Sequence, residues 1–112
     1  MAYTLNEWAS EILAWAEEKG WNEDERSAGD WIALAHSELS EAFEAFRDCG
    51  EMETIWYRDS DDKPEGYVFE LIDTMIRILH NLAVLDVDVD ILMEEKMAFN
   101  KTREHRHGGK HA

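Results

Sequence analysis

Four acidic residues in two pairs are the strongest sign of chemistry in this sequence of 112 residues. Glu38 and Glu41 form one pair, and Glu70 and Asp73 form the other, each with a three-residue spacing. In a helix this spacing places both side chains on one face, where their charges repel one another unless a cation lies between them. Two such pairs on facing helices supply the oxygen ligands that Mg²⁺ prefers, and Mn²⁺ can substitute. The spacing therefore predicts a magnesium site built from all four carboxylates.

The same pairs also have a simpler interpretation. Acidic pairs at this spacing are common on solvated helices, and Asp73 would then form an ordinary i, i+4 ion pair with Arg77. The neighbouring residues favour the metal interpretation, because Glu38 borders Trp31 and Ala42 on a helical wheel rather than a set of solvated charges.

A second group of polar residues lies near the end of the chain. Lys96, Asn100 and Arg103 recur at i, i+4 and i+7, and residues 104–112 add Lys110 beside two glycines. Cations and glycine backbone N–H groups suit an anion with several oxygens, so these four side chains are predicted to bind a polyphosphate. The alternative is a solvated helix end with cations near its C-terminus.

The first two helices are predicted from apolar periodicity and from their capping residues. The pattern indicates a helix over residues 5–19, with Thr4 as its N-cap and an acidic residue three positions later. A second helix over residues 28–47 has Ser27 as its N-cap and carries the first acidic pair. Its main apolar stripe consists of Ile32, Ala35, Leu39, Phe43 and Phe46.

The remaining elements follow a polar connection over residues 51–63. Within it, residues 55–57 are predicted to form a short helical turn. A third helix is predicted from Pro64, a residue tolerated in a first turn, to residue 85. A fourth helix covers residues 89–103, with Asp88 as its N-cap. No strand-like alternation competes, so the predicted fold is all-α, a four-helix bundle formed by residues 1–103 as one domain and followed by a basic Gly/His-rich tail over residues 104–112.

Composition restricts the partners and the compartment. Acidic residues outnumber basic ones 26 to 11, and a net charge of −15 argues against nucleic acids and anionic membranes as partners. A single cysteine, Cys49, excludes an intrachain disulfide, and there is neither a signal-peptide pattern nor an apolar run approaching about 20 residues. A cytoplasmic location is therefore predicted. Five tryptophans are many for a chain of this length, which favours an oligomer.

The order of these motifs resembles that of the MazG-like all-α nucleoside triphosphate pyrophosphohydrolases. The resemblance rests on LAHSELSEAFEAFR at residues 34–47, ELIDTMIRIL at 70–79, and KMAFNKTR at 96–103 with HGGK at 107–110. It covers most of the chain from about residue 31 onward. It implies a four-helix bundle of the type found in these enzymes.

The resemblance also implies an activity and an assembly. Members of this family bind Mg²⁺ through the carboxylates of the ExxE and ExxD motifs and cleave nucleoside triphosphates between the α and β phosphates. The products are a nucleoside monophosphate and pyrophosphate, which suggests house-cleaning of the nucleotide pool. Lys96, Asn100 and Arg103 would hold phosphates. The family usually forms homodimers or homotetramers.

One position departs from the family pattern. Some relatives carry an acidic residue immediately before the first glutamate of ExxE, where this chain has Ser37. Glu41 is therefore the predicted general base, with Glu38 as its catalytic neighbour. Trp21 and Trp31 are predicted to stack on the nucleobase, although tryptophans are also common in cores and interfaces.

Two other functions remain open at the level of sequence. One is a non-catalytic acidic helical module that binds another protein through its tryptophan-rich faces. The other is a hydrolase of a different nucleotide phosphoanhydride, such as a diphosphate or an alarmone.

Overall fold

The computed structural model describes residues 2–22 and 24–103 and shows an all-α, bundle-like fold. Within these residues the elements are α1 (Leu5–Glu18), α2 (Ala28–Cys49), β1 (Trp56–Tyr57), β2 (Pro64–Glu65), α3 (Tyr67–Val84) and α4 (Val89–Lys101). The predicted fold class and the four predicted helices are confirmed, with ends that differ by a few residues. None of these helices is long and apolar enough to cross a membrane.

Three of the four predicted helix starts are confirmed by their side-chain caps. The Thr4 hydroxyl accepts a hydrogen bond from the Glu7 N–H at 3.1 Å, and the Glu7 carboxylate accepts one from the Thr4 N–H at 2.9 Å. Ser27 and Asp30 form the same reciprocal pair at the start of α2. The Asp88 side chain caps α4. Each cap satisfies backbone N–H groups that the first turn of a helix leaves without a partner.

A two-stranded hairpin takes the place of the helical turn predicted over residues 55–57, and that prediction is wrong. Trp56 pairs with Glu65 and Tyr57 pairs with Pro64 in antiparallel register. The pairing is stabilised from outside the predicted turn, because the Arg58 N–H donates to a backbone carbonyl five residues later at 2.9 Å. Strands of two residues are too short to show the alternation that predicts a strand.

The predicted start of the third helix at Pro64 is also wrong, since α3 begins at Tyr67. Gly66 lies between the hairpin and the helix with φ of 113°. A Cβ at this position would lie 2.3 Å from the Thr54 carbonyl oxygen. Only glycine fits this close approach, and it therefore fixes where β2 ends and where α3 starts.

Helix α3 occupies the centre, with α1 and α2 packed against it. The small core consists of Ala9, Ile12, Leu79 and Val89, one or two residues from each of α1, α3 and α4. Helix α4 is held mainly through its first turn, where the Asp90 carboxylate accepts a hydrogen bond from an α1 backbone N–H at 3.1 Å. Beyond that turn, the side chains of residues 91–99 are exposed.

Candidate metal centre

Three of the four predicted carboxylates converge where α2 and α3 lie side by side. Glu38 and Glu41 come from one turn of α2, and Glu70 comes from the first turn of α3. One ligand oxygen from each lies within 4.8 Å of the other two. The i, i+3 spacing directs both α2 carboxylates toward the same neighbour, and so a short segment of sequence forms most of the cluster.

Glu70 is the partly buried member of this group that α3 contributes. Its Oε2 atom is buried and has no hydrogen-bond partner among the described residues. Burial, followed by the charges of Asp73, Glu41 and Glu38, raises the pKa of Glu70 from 4.5 to about 7. A buried acceptor without a partner costs free energy, as does a carboxylate held beside like charges. Both features indicate a position that suits a cation.

Asp73 lies outside the group of three ligand oxygens but within reach of its charges. Burial and then the negative charge of Glu38 raise the pKa of Asp73. The pKa of Glu41 is also raised, first by burial and next by its hydrogen bond and charge interaction with Glu38. The four predicted side chains therefore form one electrostatic cluster, with three of them at ligand distance. The assignment of Asp73 as a ligand stays a prediction.

Two cations border the cluster. The Arg77 Nε atom donates to Glu38 Oε1 at 3.2 Å, which ties α3 to α2. The positive charge of Lys63, on the loop before β2, lowers the pKa of both Glu70 and Asp73. Sequence reasoning did not single out Lys63, because nothing in the sequence shows that the hairpin folds toward the carboxylates.

A cavity of about 190 Å³ opens beside the cluster. Its lining combines aromatic, charged and aliphatic side chains, namely Trp15, Trp21, Glu38, Asp73, Ile76, Arg77 and His80. The Trp15 and Trp21 rings meet edge to face with centroids 4.5 Å apart. Trp21, a predicted base-stacking residue, is therefore placed in the same cavity as two of the predicted ligands.

The other predicted base-stacking residue, Trp31, is buried. Its ring meets the His80 ring edge to face at 4.9 Å, and the Arg26 guanidinium lies 5.0 Å from the ring centroid. A base could stack on that face only after Arg26 moves aside. The role of Trp31 in base binding stays a prediction.

His80 is a buried polar residue that sequence reasoning missed. Its Nε2 atom lies 2.7 Å from Asn22 Oδ1, and the Asn22 amide N–H donates to the Leu13 carbonyl oxygen at 3.1 Å. Because the amide nitrogen of Asn22 is engaged in this way, its oxygen accepts a hydrogen bond from His80. Burial, with the charges of Arg26 and Arg77, lowers the pKa of His80. The imidazole ring is therefore neutral at neutral pH. His80 also forms part of the lining of the cavity.

Of the predicted phosphate-binding residues, Lys96 and Asn100 lie on α4 and Arg103 follows its end, and none of the three lines this cavity. Lys96 Nζ lies 5.5 Å from the Phe99 ring centroid, and Arg103 is exposed. Asn100 Oδ1 is buried and has no hydrogen-bond partner within residues 2–22 and 24–103. In the parts of the chain that the structure describes, no hydrogen bond or ion pair joins them to the carboxylates. Lys110 lies outside the described residues.

Comparison with known proteins adds no relative to this picture. No family model matches the chain, and neither the curated proteins nor the solved structures contain a match. The likeness to MazG-like enzymes therefore rests on the motifs of residues 34–47, 70–79 and 96–110 alone, and membership of that family stays a prediction.

Proposed function

We propose that this protein is a Mg²⁺-dependent nucleoside triphosphate pyrophosphohydrolase that releases a nucleoside monophosphate and pyrophosphate. One observation carries the proposal: Glu70 has a buried oxygen with no partner among the described residues, and a ligand oxygen of Glu70 lies within 4.8 Å of those of two more carboxylates. Without a cation, burial and mutual repulsion make the ionised carboxylates unfavourable. A divalent cation bound between them would make the same arrangement favourable.

The donor set fits the proposed metal. All the ligand atoms are carboxylate oxygens, which suit hard cations such as Mg²⁺ and Mn²⁺ rather than metals that prefer thiolate or imidazole. Arg77 and Lys63 offset only part of the negative charge of four carboxylates. A doubly charged ion would balance the rest and would supply charge neutralisation at the phosphates and activation of a water molecule.

The side chains around the cluster would accept a proton, hold the phosphates and bind the base. Glu41 is the most exposed of the three clustered carboxylates, and its raised pKa makes it a better proton acceptor than an ordinary glutamate. Arg77 and Lys63 are the cations nearest the cluster and join Lys96, Asn100, Arg103 and Lys110 as candidates for holding phosphate oxygens. The cavity beside Trp21 would receive the base, since stacking on an aromatic ring contributes about 1–3 kcal/mol.

The decisive experiment is a substrate panel. Purified full-length protein is incubated with canonical and modified nucleoside triphosphates in Mg²⁺, in Mn²⁺ and in EDTA, and the products are identified by mass. Pyrophosphate and a monophosphate should form only with the cation. Glu41→Gln and Glu70→Gln should lower the rate by at least about a hundredfold. Glu94→Gln, on exposed α4, serves as the matched control. A folded protein that binds Mg²⁺ and hydrolyses none of these substrates would refute the proposal.

A second candidate function is a non-catalytic interaction module, which the many exposed apolar side chains favour. This candidate predicts that Glu70→Gln stabilises the protein and that Mg²⁺ has no effect on its unfolding. Cleavage of a different nucleotide phosphoanhydride would be recognised in the same panel, extended to diphosphates and alarmones, from a product ratio of monophosphate to pyrophosphate other than one to one.

A further inference from the structure

Arg77 belongs both to the carboxylate cluster and to the cavity beside it. Its Nε atom donates to Glu38 Oε1 at 3.2 Å, and the two side chains are 28% and 15% exposed. Both residues also line the cavity of about 190 Å³. Arg77 follows Asp73 by four residues on α3, so the helix places it one turn further along the same face. The guanidinium therefore contacts a predicted metal ligand and borders the space that a substrate would enter.

This ion pair differs from the others in the described part of the chain. Arg47 and Glu44 lie one turn apart on α2, and each side chain is 61% exposed. The remaining pairs lie within residues 58–65, in and around the hairpin. Among these pairs of described residues, that of Arg77 with Glu38 alone joins two helices. A partly buried charge is costly unless it is paired, so the guanidinium supplies to Glu38 part of the positive charge that a bound cation would supply.

Most of the hydrogen-bonding capacity of Arg77 is still available. An arginine side chain carries five N–H donors in one plane. Within residues 2–22 and 24–103, only the Nε–H donor of Arg77 has a partner. The Nη groups suit paired hydrogen bonds with phosphate oxygens, the geometry for which arginine is favoured over lysine. An anion with several oxygens in the cavity would therefore meet donors that the bond to Glu38 already orients.

Glu38 would have to serve both Arg77 and a metal ion. A guanidinium and a divalent cation that share one carboxylate repel each other, so Arg77 lowers the affinity for an ion that binds alone. The sign of this effect changes when a phosphate is present, because its negative oxygens attract both positive charges. The same side chain thus opposes the ion in one state and favours it in the other.

We propose that Arg77 couples the binding of Mg²⁺ to the binding of a polyphosphate, so that the ion is held tightly only when the polyphosphate is also bound. The metal and the polyphosphate are those of the proposed function, on which this inference rests. By thermodynamic linkage, each ligand must tighten the binding of the other by the same factor. Removal of Arg77 therefore has two effects of opposite sign, whereas a residue that only orients Glu38 would affect both ligands in the same direction.

Isothermal titration calorimetry of the full-length chain, with Mg²⁺ alone and with inorganic pyrophosphate at saturating Mg²⁺, tests this coupling. Arg77→Met should bind Mg²⁺ alone about threefold more tightly than the wild type, because a competing charge is lost. It should bind pyrophosphate at least about tenfold more weakly, the level expected for lost hydrogen bonds between charged groups. Arg77→Lys keeps the charge and loses the planar donors, and it should weaken only the binding of pyrophosphate. Arg47→Met removes an exposed arginine of α2 and should change neither constant.

Each other outcome contradicts the coupling. Weaker binding of both ligands by Arg77→Met would show that Arg77 only orients Glu38, and an unchanged value of either constant would also overturn the inference. A wild-type protein that binds no Mg²⁺ would overturn it together with the proposed function. If the wild type and its variants bind as expected but hydrolyse no nucleotide, the proposed function fails and the coupling stands.

A measurement on the wild-type protein guards against a variant that misfolds. Circular dichroism must show wild-type helicity for each variant. In the wild type, nuclear magnetic resonance of the arginine side chains reports how fast the Arg77 Nε–H proton exchanges with water. Exchange should be slow while Glu38 accepts this proton, faster with Mg²⁺ alone, and slow again once pyrophosphate is added. An exchange rate that Mg²⁺ alone leaves unchanged would contradict the inference.

Discussion

The titration of Glu70 gives the sharpest test of the electrostatics at the metal centre. In the folded protein without metal its pKa is about 7, against an ordinary value of 4.5. The folded state therefore keeps a proton that the unfolded state releases between these two values, and stability falls as the pH rises from about 4.5 to 7. The difference corresponds to at most about 3.4 kcal/mol, and solvent screening of this partly exposed group reduces the expected loss to about 1–2 kcal/mol.

Denaturant unfolding in EDTA, at several values between about pH 5 and pH 8, measures this loss. The wild-type free energy of unfolding should fall across the range more steeply than that of Glu70→Gln, because the amide does not titrate. Glu94→Gln, which removes an exposed carboxylate from α4, should follow the wild-type curve. Equal slopes for wild type and Glu70→Gln would refute the assignment of the raised pKa to this residue.

Magnesium should reverse the trend in the wild-type protein. A cation at the cluster favours the ionised carboxylates, so adding Mg²⁺ near pH 8 should restore the stability that ionisation removed. At a concentration one hundred times the dissociation constant, binding to the folded state alone contributes about 2.7 kcal/mol. Glu70→Gln should lose most of this gain. If Mg²⁺ stabilises both proteins equally, the ion binds elsewhere and the proposed ligand set is wrong.

Three other predictions concern the neighbours of the site. Gly66→Ala should lower the free energy of unfolding by about 2–3 kcal/mol in denaturant titrations, because φ is 113° and the new Cβ would meet the Thr54 carbonyl. Arg77→Met should destabilise the metal-free protein by about 2 kcal/mol in the same assay, since Glu38 loses its charged partner, and Mg²⁺ should recover part of that loss. The lowered pKa of His80 predicts that stability falls as the pH drops below 6.5, and that His80→Gln flattens this part of the unfolding profile.

Sequence patterns predicted the features that depend on local interactions. The caps at Thr4, Ser27 and Asp88 each involve a backbone N–H three residues away, so the motif and its hydrogen bond lie in one short segment. The pairing of Glu38 with Glu41 is equally local, because helical geometry alone places them on one face. Features of this kind need no knowledge of how the helices pack.

Features that depend on distant contacts were missed or left open. The hairpin pairs Trp56 with Glu65 and Tyr57 with Pro64, and strands of two residues are too short to show a strand pattern. The sequence shows His80 only as a residue within α3, because its hydrogen-bond partner Asn22 is 58 residues away in sequence. Periodicity likewise predicted α4 without indicating where it packs, and so it could not show that, among the described residues, Lys96 forms no ion pair with the carboxylates.

The orientation of α3 connects the metal centre with the core. The α3 residue Leu79 packs with Ala9 and Ile12 of α1, while Glu70 lies beside the carboxylates of α2. A helix whose carboxylates face its neighbour carries an electrostatic cost, and burial of its aliphatic side chains against α1 offsets part of that cost. Turning α3 about its axis would separate Glu70 from Glu38 and Glu41, but it would also withdraw Leu79 from the core. The core therefore holds the carboxylates together, and a cation bound between them would stabilise the same arrangement of α2 and α3.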